Sequence, residues 1–366
     1  MADSPGASGL TVQQWDDQFF TEYLIENRFA REMGTDESSI IQVKEDLTKK
    51  QGDRVTFALV NKLNNDATTG SNTLEGNEER MDTRSFALAV DKRRNAVRVA
   101  EMDEQASAID LRTASKAVLK EWSLKDTESL IIRALGSING THYGSASESS
   151  KDAWLTDNAD RVLFGASRAN NAGNDHSVSL ANCDITNDLL TPATISQMKL
   201  IATTIANPKI RPIRVDETAG RRYFVMYAHP LAFRDLKQNA AMVQAQREVV
   251  LEMENNRLFQ GGDLYWDGVI VKEITDMYDT LTLAGVGASG ATVVPAFLVG
   301  AQAVGVAYAK RWRSVEQSFD YGDKRGCSIE SIYGVAKMKF GAGSTDTDDL
   351  KDHGCVTGYF ASSTTS

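Results

Sequence analysis

The clearest chemical motif in the chain is a glycine-rich run, Gly285–Gly290 (GVGASG), which fits the pattern G-x-G-x-x-G. In that pattern the glycines let the backbone approach the pyrophosphate of a dinucleotide, provided that a strand precedes the run and a helix follows it. Here the run is followed by Ala291–Pro295 (ATVVP), whose β-branched residues and proline oppose a helix. We therefore expect a loop at this position and no bound cofactor.

A second candidate is the acidic stretch near the C-terminus, where carboxylates could bind a cation. Asp346, Asp348, Asp349 and Asp352 lie close together, next to His353. Calcium prefers such oxygen ligands, but the spacing and the glycine of an EF-hand loop are missing. The stretch is more typical of a solvated acidic loop than of a calcium site.

The other metal-ligating and nucleophilic side chains are scattered. The three cysteines are widely spaced without a C-x-x-C pattern, which suits a reducing compartment and neither a disulfide framework nor a zinc site. His229 stands between an apolar run and Pro230, where a structural hydrogen bond is the expected role. No P-loop, H-E-x-x-H or G-x-S-x-G motif occurs. The sequence thus predicts no catalytic, cofactor or metal site, and a protein that is not an enzyme.

Composition and charge limit the function classes further. A length of 366 residues favours about two domains, and 42% hydrophobic with 25% charged residues is ordinary globular material. The net charge of −10 argues against a protein whose main task is to bind nucleic acid tightly. It does not exclude a protein that forms a container for nucleic acid. The N-terminus lacks the basic and apolar regions of a signal peptide, and no apolar run approaches about 20 residues. We expect a soluble chain, without a membrane partner, made in a cytoplasm.

The element that stands out is a long extended hairpin. Arg54–Val60 (RVTFALV) and Phe86–Val90 (FALAV) alternate like strands, and the polar segment between them has no run able to bury itself. A connection of that length inside a compact domain is unusual and tends to be functional or disordered. Such an arm is of little use to an enzyme, but it suits a subunit that must reach over its neighbour.

The second strand continues through a basic run, Lys92-Arg93-Arg94, after which Val97 and Val99 carry the apolar face. Because a one-residue shift flips side chains to the other face, we expect a bulge or strong twist near Asp91–Asn95. Three roles remain open for the basic run: a solvated strand face, contact with nucleic acid, or contact with the acidic Glu75–Glu79 stretch of a neighbouring copy.

Two helical segments flank this hairpin. Leu10–Thr48 is helix-prone around Trp15–Met33, and it either packs on another subunit or folds back on its own core. Glu101–Leu135 is predicted as a long helix with a kink or restart at the capping box Ser123–Asp126. Its expected core stripe consists of Leu111, Ala114, Val118 and Trp122.

The rest of the chain predicts mixed α/β structure. Ser137–Asn187 indicates two polar loops around a short ordered piece at Trp154–Phe164. Thr191-Pro192 predicts a helix start, closed by Asn207-Pro208. The expected later elements are a strand at Tyr223–Ala228, helices after His229 and at Ala240–Asn255, a strand in GGDLYWDGVIVKEI, and further strand or short-helix segments at Thr292–Val299, Val304–Arg313 and Cys327–Phe340.

Five stretches in this order carry a family resemblance: RVTFALVNKL, RRNAVRVAEMDEQASAIDLR, RYFVMYAHPLAFRDLK, NNRLFQGGDLYWDGVIVKEI and FLVGAQAVGVAYAKRW. They cover most of Asp53–Ala309, and the chain resembles the major capsid proteins of tailed bacteriophages, in particular the podovirus-type sub-family. The resemblance implies an α+β chain with the HK97-like capsid fold.

The resemblance also implies a division of the chain into named parts. Residues 1–52 would be an N-terminal arm, and 53–100 the extended loop that lies across the adjacent subunit. Residues 101–210 would form the peripheral domain with its spine helix, which the C-terminal strand at about 341–366 would rejoin. Residues 211–340 would be mainly the axial domain. The Asn/Ser-rich Ser137–Asn187 region would be a surface insertion or a site for a decoration protein.

The implied function is a subunit that self-assembles into hexamers and pentamers of an icosahedral head enclosing double-stranded DNA. Its implied partners are other copies of itself, a portal protein, scaffolding or decoration proteins, and packaged DNA bound without sequence specificity. Its location would be the virion, after synthesis in the host bacterial cytoplasm. An encapsulin-like compartment shell and a cytosolic α/β enzyme remain alternatives. The residues expected to make intersubunit contacts are Lys62, Asn64, Asn65, Asp66, Glu75, Glu78, Glu79, Arg80, Arg84, Arg93 and Arg94.

Overall fold

The structure is a computed structural model that describes residues 28–45, 52–63, 66–79, 81–107, 109–216, 221–253, 262–343 and 345–363. Most of the helix predicted around Trp15–Met33 lies outside these residues. At its end, residues 28–34 form a turn and a short strand instead of a helix.

The strands and helices of the described residues alternate irregularly along the chain. The strands are β1 (Met33–Gly34), β2 (Ile41–Lys44), β3 (Arg54–Val60), β4 (Thr83–Ala89), β5 (Asp91–Ala100), β6 (Val162–Phe164), β7 (Ile213–Asp216), β8 (Arg221–Ala228), β9 (Leu264–Trp266), β10 (Val269–Glu273), β11 (Thr292–Val299), β12 (Val304–Phe319), β13 (Lys324–Lys337), β14 (Lys339–Gly341), β15 (Leu350–Asp352) and β16 (Cys355–Ser362). The helices are α1 (Glu101–Ala106), α2 (Leu111–Leu135), α3 (Glu148–Asn158), α4 (His176–Ala181), α5 (Pro192–Leu200), α6 (Pro230–Gln238), α7 (Ala240–Met253) and α8 (Met277–Leu281).

The chain divides into two compact units. Of the described residues, those within 92–127 and 310–332 form the first unit, and those within 28–91, 128–309 and 333–363 form the second. This division differs from the expected boundary at residue 210, because segments on both sides of that boundary share one sheet in the second unit. Pairing between strands that are distant in sequence decides the division, and local sequence patterns do not encode it.

In the first unit, the distal part of β13 lies between those of β12 and β5, and the start of α2 contacts β12. Trp122 of α2 and Trp312 of β12 meet edge to face, with ring centroids 5.9 Å apart. Arg112 and Lys116 both pair with Glu316, and these hydrogen bonds lower the pKa of the glutamate to about 2. The aromatic contact and the ion pairs hold one face of the helix against the strand.

The long helix differs from its prediction in two respects. It breaks between Ala106 and Leu111, and Asp110 caps the restart by accepting hydrogen bonds from the backbone N–H groups of Arg112 and Thr113. The predicted kink at Ser123–Asp126 is wrong, because α2 runs through it and Ser123 Oγ instead donates to the Lys120 carbonyl.

The predicted core stripe of this helix is wrong at Val118, whereas Leu111, Ala114 and Trp122 are half-buried. Val118 is 51% exposed, whereas the residues that α2 buries are Ser115, Leu119, Ser123, Thr127, Glu128, Ile131, Ile132, Ala134 and Leu135. Ser and Thr side chains that donate hydrogen bonds to carbonyl groups of their own helix can occupy buried positions. The spacing of apolar residues alone therefore did not identify the buried face of α2.

The second unit is built on a seven-stranded sheet in the order β6-β16-β11-β8-β10-β9, with β7 pairing β8. Strands β8 and β10 are parallel, with α6 and α7 between them in the chain, and β11 is antiparallel to both β8 and β16. The main apolar core packs helices α5, α6 and α7 against this sheet. The C-terminal strand predicted within 341–366 is present as β16, which lies between the edge strand β6 and β11 in this sheet.

Several local predictions in this unit are confirmed. Thr191 and Thr194 form a reciprocal capping box with Pro192 in the first turn, and α5 continues as a π-helical turn, Ile201–Ile205. His229 ends β8 and caps α6, where its Nδ1 accepts from the Leu231 N–H group. The G-x-G-x-x-G run forms a short turn that leads into strand β11 instead of a helix.

The Ser137–Asn187 region is more ordered than predicted, because α3 and α4 flank β6 and bury side chains of their own. Trp154 is 1% exposed and His176 has no exposed surface. Among the described helices, none is long and apolar enough to span a membrane.

Candidate assembly surface of the extended hairpin

Strands β3 and β4 form the predicted hairpin as a separate two-stranded sheet. They pair antiparallel from Arg54 opposite Ala89 to Val60 opposite Thr83, with Phe57 opposite Phe86. The alternation read from the sequence is confirmed, since Val55, Phe57 and Leu88 turn to one buried face. Within the described residues no third strand joins this sheet, so both edges keep unpaired backbone groups.

The base of the hairpin packs on its own chain, so the expected reach over a neighbour is left to the part beyond the base. Val55, Phe57 and Leu88 form a core cluster with Ala307, Met338 and Phe340. Phe86 lies at its edge, with its ring centroid 6.4 Å from that of Phe57 and 6.3 Å from that of Phe340. Burial of these aromatic groups anchors the base of the hairpin to the second unit.

Polar contacts reinforce this base. Arg84 donates from Nη2 to the Gly343 carbonyl at 2.6 Å and pairs with Asp82 at 2.9 Å. Ser85 Oγ donates to Asp346 Oδ2 at 2.7 Å, and this hydrogen bond lowers the pKa of Asp346. The predicted contact residue Arg84 is therefore engaged within its own chain, and part of the acidic loop near residue 346 serves as the second anchor.

Beyond residue 60 the hairpin opens into an exposed tip, here defined as residues 61–82. Lys62, Asp66, Glu75 and Glu78 are exposed, whereas Glu79 is half-buried. Asn64, Asn65 and Arg80 lie outside the described residues. Apolar side chains are exposed at and beside the tip, namely Val60, Leu63, Leu74 and Met81 at 58%, 57%, 64% and 65%. Such side chains on a projecting segment mark a surface that gains stability when another surface covers it.

The basic run after the hairpin is mostly neutralised within the first unit. Lys92 pairs with Glu330 at 2.8 Å, and Arg93 Nε donates to Asp126 Oδ2 at 2.6 Å. Hydrogen bonds from Lys92 and Arg313 lower the pKa of Glu330 to about 2. Arg94 is exposed, and the part of the chain that the structure describes offers it no ion-pair partner. Lys92 and Arg93 thus hold the strand in place, whereas Arg94 is exposed to solvent and accessible to another chain.

The predicted irregularity near Asp91–Asn95 is a change of sheet. Strand β4 ends at Ala89 and pairs with β3, whereas β5 starts at Asp91 and belongs to the sheet that contains β13. Gly334 permits the close approach at this crossing, since a Cβ atom there would lie 2.1 Å from the Ala89 carbonyl oxygen. The strand therefore passes from one sheet to another, and no bulge is needed to explain the change of phase.

The sequence did not identify the partners that hold the hairpin base. Met338, Phe340 and Gly343 come from a segment far along the chain, and no local pattern connects them to β3 or β4. The one available signal was the alternation of apolar and polar residues around Phe57 and Phe86. It indicates a buried face on each strand but does not identify the residues that cover it.

Comparisons with known proteins agree with this architecture. A family model described as phage capsid protein matches residues 4–364. The major capsid protein of Pseudomonas phage KPP25 is 30% identical over 339 residues, which are 90% of this chain and 89% of that protein. The cyanophage Pam1 capsid asymmetric unit is 31% identical, with a TM-score of 0.85 and 99% of each chain covered. The capsid of Ralstonia phage GP4 has the same fold, at 22% identity and a TM-score of 0.78 over 100% of both chains.

The fold is thus the α+β, HK97-like fold of phage capsids, as the sequence resemblance predicted. The match of both sequence and structure over nearly the whole chain confirms the phage capsid prediction over the encapsulin-like and enzyme alternatives. The chain belongs to the phage capsid protein family.

Proposed function

We propose that this chain is the major shell subunit of a phage head and self-assembles through hexamers and pentamers into an icosahedral capsid around double-stranded DNA. The observation that carries the proposal is the hairpin, whose base is fixed on its own subunit while its tip exposes apolar and charged side chains. A segment built in this way gains stability by lying over a neighbouring copy.

The contact between copies would combine two kinds of interaction. The unpaired edges of β3 and β4 offer backbone N–H and C=O groups, which pair with extended backbone of any sequence. Leu63, Leu74 and Met81 add apolar surface, while Asp66, Glu75 and Glu78 offer carboxylates to basic residues such as Arg94 of the neighbour. Each contact is weak by itself, but a closed shell repeats it many times, so stability is collective.

The two compact units suggest a revised division into capsid domains. We assign the first unit, with β5, the distal β12–β13 hairpin and the start of α2, to the peripheral domain and its spine helix. The second unit, built on the seven-stranded sheet, takes the role of the axial domain that meets its symmetry mates around a capsomer centre. Residues 137–187 then belong to the axial domain, where they form a surface suited to a decoration protein.

The expected partners follow from the same assignment. They are other copies of the chain, a portal protein, scaffolding or decoration proteins, and packaged DNA held without sequence specificity. The net charge of −10 supports weak contact with DNA, because a strongly basic wall would hold the genome tightly. The subunit would be made in the host cytoplasm and would act in the virion as a structural protein without a catalytic step.

Deletion of residues 64–77 tests the proposal directly. The eight residues that remain between Val60 and Thr83 are enough to close the hairpin, so the base cluster should stay intact. We expect circular dichroism like that of the wild type, together with loss of shells in negative-stain electron microscopy. The matched control is the double substitution Thr68→Ala and Thr69→Ala in the same tip, which keeps its length and should form shells. Intact shells from the deletion variant would contradict the role given to the tip.

A further inference from the structure

Three carboxylates converge between helices α3 and α4, away from the hairpin. Glu148 and Asp152 stand one turn apart on α3, and Asp175 immediately precedes α4. One oxygen from each of them lies within 4.8 Å of the others. Like charges at this separation repel, so the arrangement attracts a cation.

Hydrogen bonds orient these carboxylates and leave oxygens available. Asp152 Oδ1 accepts from the His176 backbone N–H group at 2.8 Å, and Asp175 Oδ1 accepts from the Val178 N–H group at 3.0 Å. The described residues provide no hydrogen-bond partner for Oδ2 of either aspartate and no Lys or Arg within ion-pair distance of it. Lys151 pairs with Glu148 Oε2 at 3.3 Å, so the protein supplies one cation for three carboxylates.

An independent observation at the same place is the imidazole of His176. It has no exposed surface, and neither ring nitrogen has a hydrogen-bond partner among the described residues. Its Nδ1 lies 3.7 Å from Glu148 Oε1, at the edge of the carboxylate cluster.

The surroundings of this ring explain why its nitrogens need a partner from outside the protein. His176 packs among the rings of Tyr143, Trp154, Phe164 and Tyr359, with centroid separations between 5.3 and 6.4 Å. Aromatic faces offer little to an imidazole nitrogen, and buried polar atoms without partners are rare in native proteins. The ring nitrogen nearest Glu148 is the one that a ligand in the cluster, or a water bound to it, can reach.

We propose that Glu148, Asp152 and Asp175 form a binding site for a hard divalent cation of the calcium type, with His176 closing its buried side. Oxygen ligands from carboxylates are those that Ca²⁺ prefers, and two helices with separate backbones give the adjustable geometry that it tolerates better than Mg²⁺. The ion clamps the start of α3 to the start of α4. It thereby stiffens residues 137–187, the region in which the sequence indicated polar loops.

Terbium luminescence tests this site in the full chain, because Tb³⁺ replaces Ca²⁺ and emits when nearby aromatic rings are excited. Trp154 and Tyr143 both lie beside His176 and are positioned to sensitise an ion in the cluster. Purified protein, freed of metal with a chelator, is titrated with Tb³⁺ and then with Ca²⁺ or Mg²⁺. We expect saturable emission at one ion per chain, displaced by Ca²⁺ at lower concentration than by Mg²⁺.

Conservative variants connect the signal to these residues. Asp152→Asn and Asp175→Asn keep the oxygen that accepts the backbone hydrogen bond, and asparagine caps a helix as well as aspartate does. Each should weaken Tb³⁺ binding by about tenfold or more, since even changes behind the ligands cost about that much. Glu75→Gln removes an exposed carboxylate in the hairpin tip, away from the cluster, and should leave Tb³⁺ binding unchanged.

Protein stability supplies a second measurement that does not depend on luminescence. Calcium should raise the thermal unfolding midpoint of the wild type and of Glu75→Gln, but not that of Asp152→Asn. The proposal is overturned if the wild type shows no saturable emission, or if the Asp152→Asn and Asp175→Asn variants bind Tb³⁺ like the wild type. Shell formation is not part of either measurement, so the outcome is independent of the proposed assembly role.

Discussion

The ammonium group of Lys337 lies 2.6 Å from Asp352 Oδ2, and the two side chains are 4% and 3% exposed. Trp154 Nε1 donates to the same carboxylate oxygen at 3.1 Å, and Asn158 Oδ1 accepts from the Asp352 N–H group at 2.8 Å. The pair therefore joins the end of β13 to β15 and to helix α3. A buried charge with so many partners serves to position segments, because removing it leaves its partner unpaired.

Replacing Asp352 with alanine should destabilise the subunit strongly. Lys337 would keep its buried charge without a counter-ion, which costs about 3–5 kcal/mol in the free energy of unfolding. Lys324→Ala is the control, because it breaks an exposed ion pair with Asp320 that contributes less than about 1 kcal/mol. Denaturant unfolding of the unassembled subunit measures both variants. Equal losses of unfolding free energy in the two variants would show that burial of the Lys337–Asp352 pair adds nothing to the stability of the subunit.

The local features of the fold could be predicted from the sequence, because neighbouring residues determine them. The Thr191-Pro192 helix start and the His229-Pro230 turn follow from capping and from the fixed φ of proline, and both are confirmed. The break before Leu111 was missed although Asp110 caps it, since the apolar periodicity continues across the gap and hides the boundary.

The tertiary features could not be predicted in the same way. Nothing near Phe86 indicates that Phe340 will cover it, and nothing near residue 210 shows that strands on both sides enter one sheet. The exposed tip could be recognised, because a long polar segment between two alternating strands has nothing to bury. Its anchors and the carboxylate cluster around Asp152 depend on segments that only the folded chain brings together.

The hairpin base should loosen when Phe57 is truncated. Phe57 is 2% exposed within the cluster formed by Met338 and Phe340, and removing a buried phenyl ring typically costs about 3–5 kcal/mol. Phe57→Ala should therefore speed hydrogen exchange of the β3 and β4 backbone amides without changing the seven-stranded sheet. Val60→Ala, an exposed position in the same strand, should leave exchange as in the wild type. Unchanged protection in Phe57→Ala would mean that the cluster does not hold the hairpin.

Glu128 should make the subunit less stable at alkaline pH. Burial, helped by repulsion from Asp276 and opposed by Arg28, raises the pKa of this carboxyl to about 7. The folded state thus binds a proton that the unfolded state releases at about 4.5. The resulting stability is complete below the unfolded pKa and is lost as the pH rises through 7.

The substitution Glu128→Gln isolates this contribution. It removes the titrating group, so the variant should match the wild type near pH 4 and exceed its unfolding free energy by up to about 3 kcal/mol at pH 8. Unfolding midpoints of the two proteins at both pH values provide the measurement. A constant difference between them across this range would show that Glu128 does not change its protonation state on folding.

His229 should make the subunit less stable at acid pH, whereas Glu128 does so at alkaline pH. Its Nδ1 accepts from the Leu231 N–H group at 3.2 Å, so the ring proton is assigned to Nε2, which donates to Thr282 Oγ1 at 2.9 Å. Burial lowers the pKa of this histidine to about 4, because a charged ring would be desolvated. Protonation of Nδ1 would also remove the acceptor that caps α6. The contribution of the neutral ring to the free energy of unfolding is complete above the unfolded-state pKa of 6.5 and is lost as the pH falls through 4.

His229→Asn provides the test, because asparagine can cap α6 without taking up a proton. Between pH 7 and pH 4 the wild type should lose up to about 3 kcal/mol more unfolding free energy than the variant. All other titrating groups are common to both proteins and cancel in the difference, Glu128 included. A parallel decline of the two proteins in this range would mean that His229 becomes protonated at its ordinary pKa in the folded state, and that its cap on α6 does not require the neutral ring.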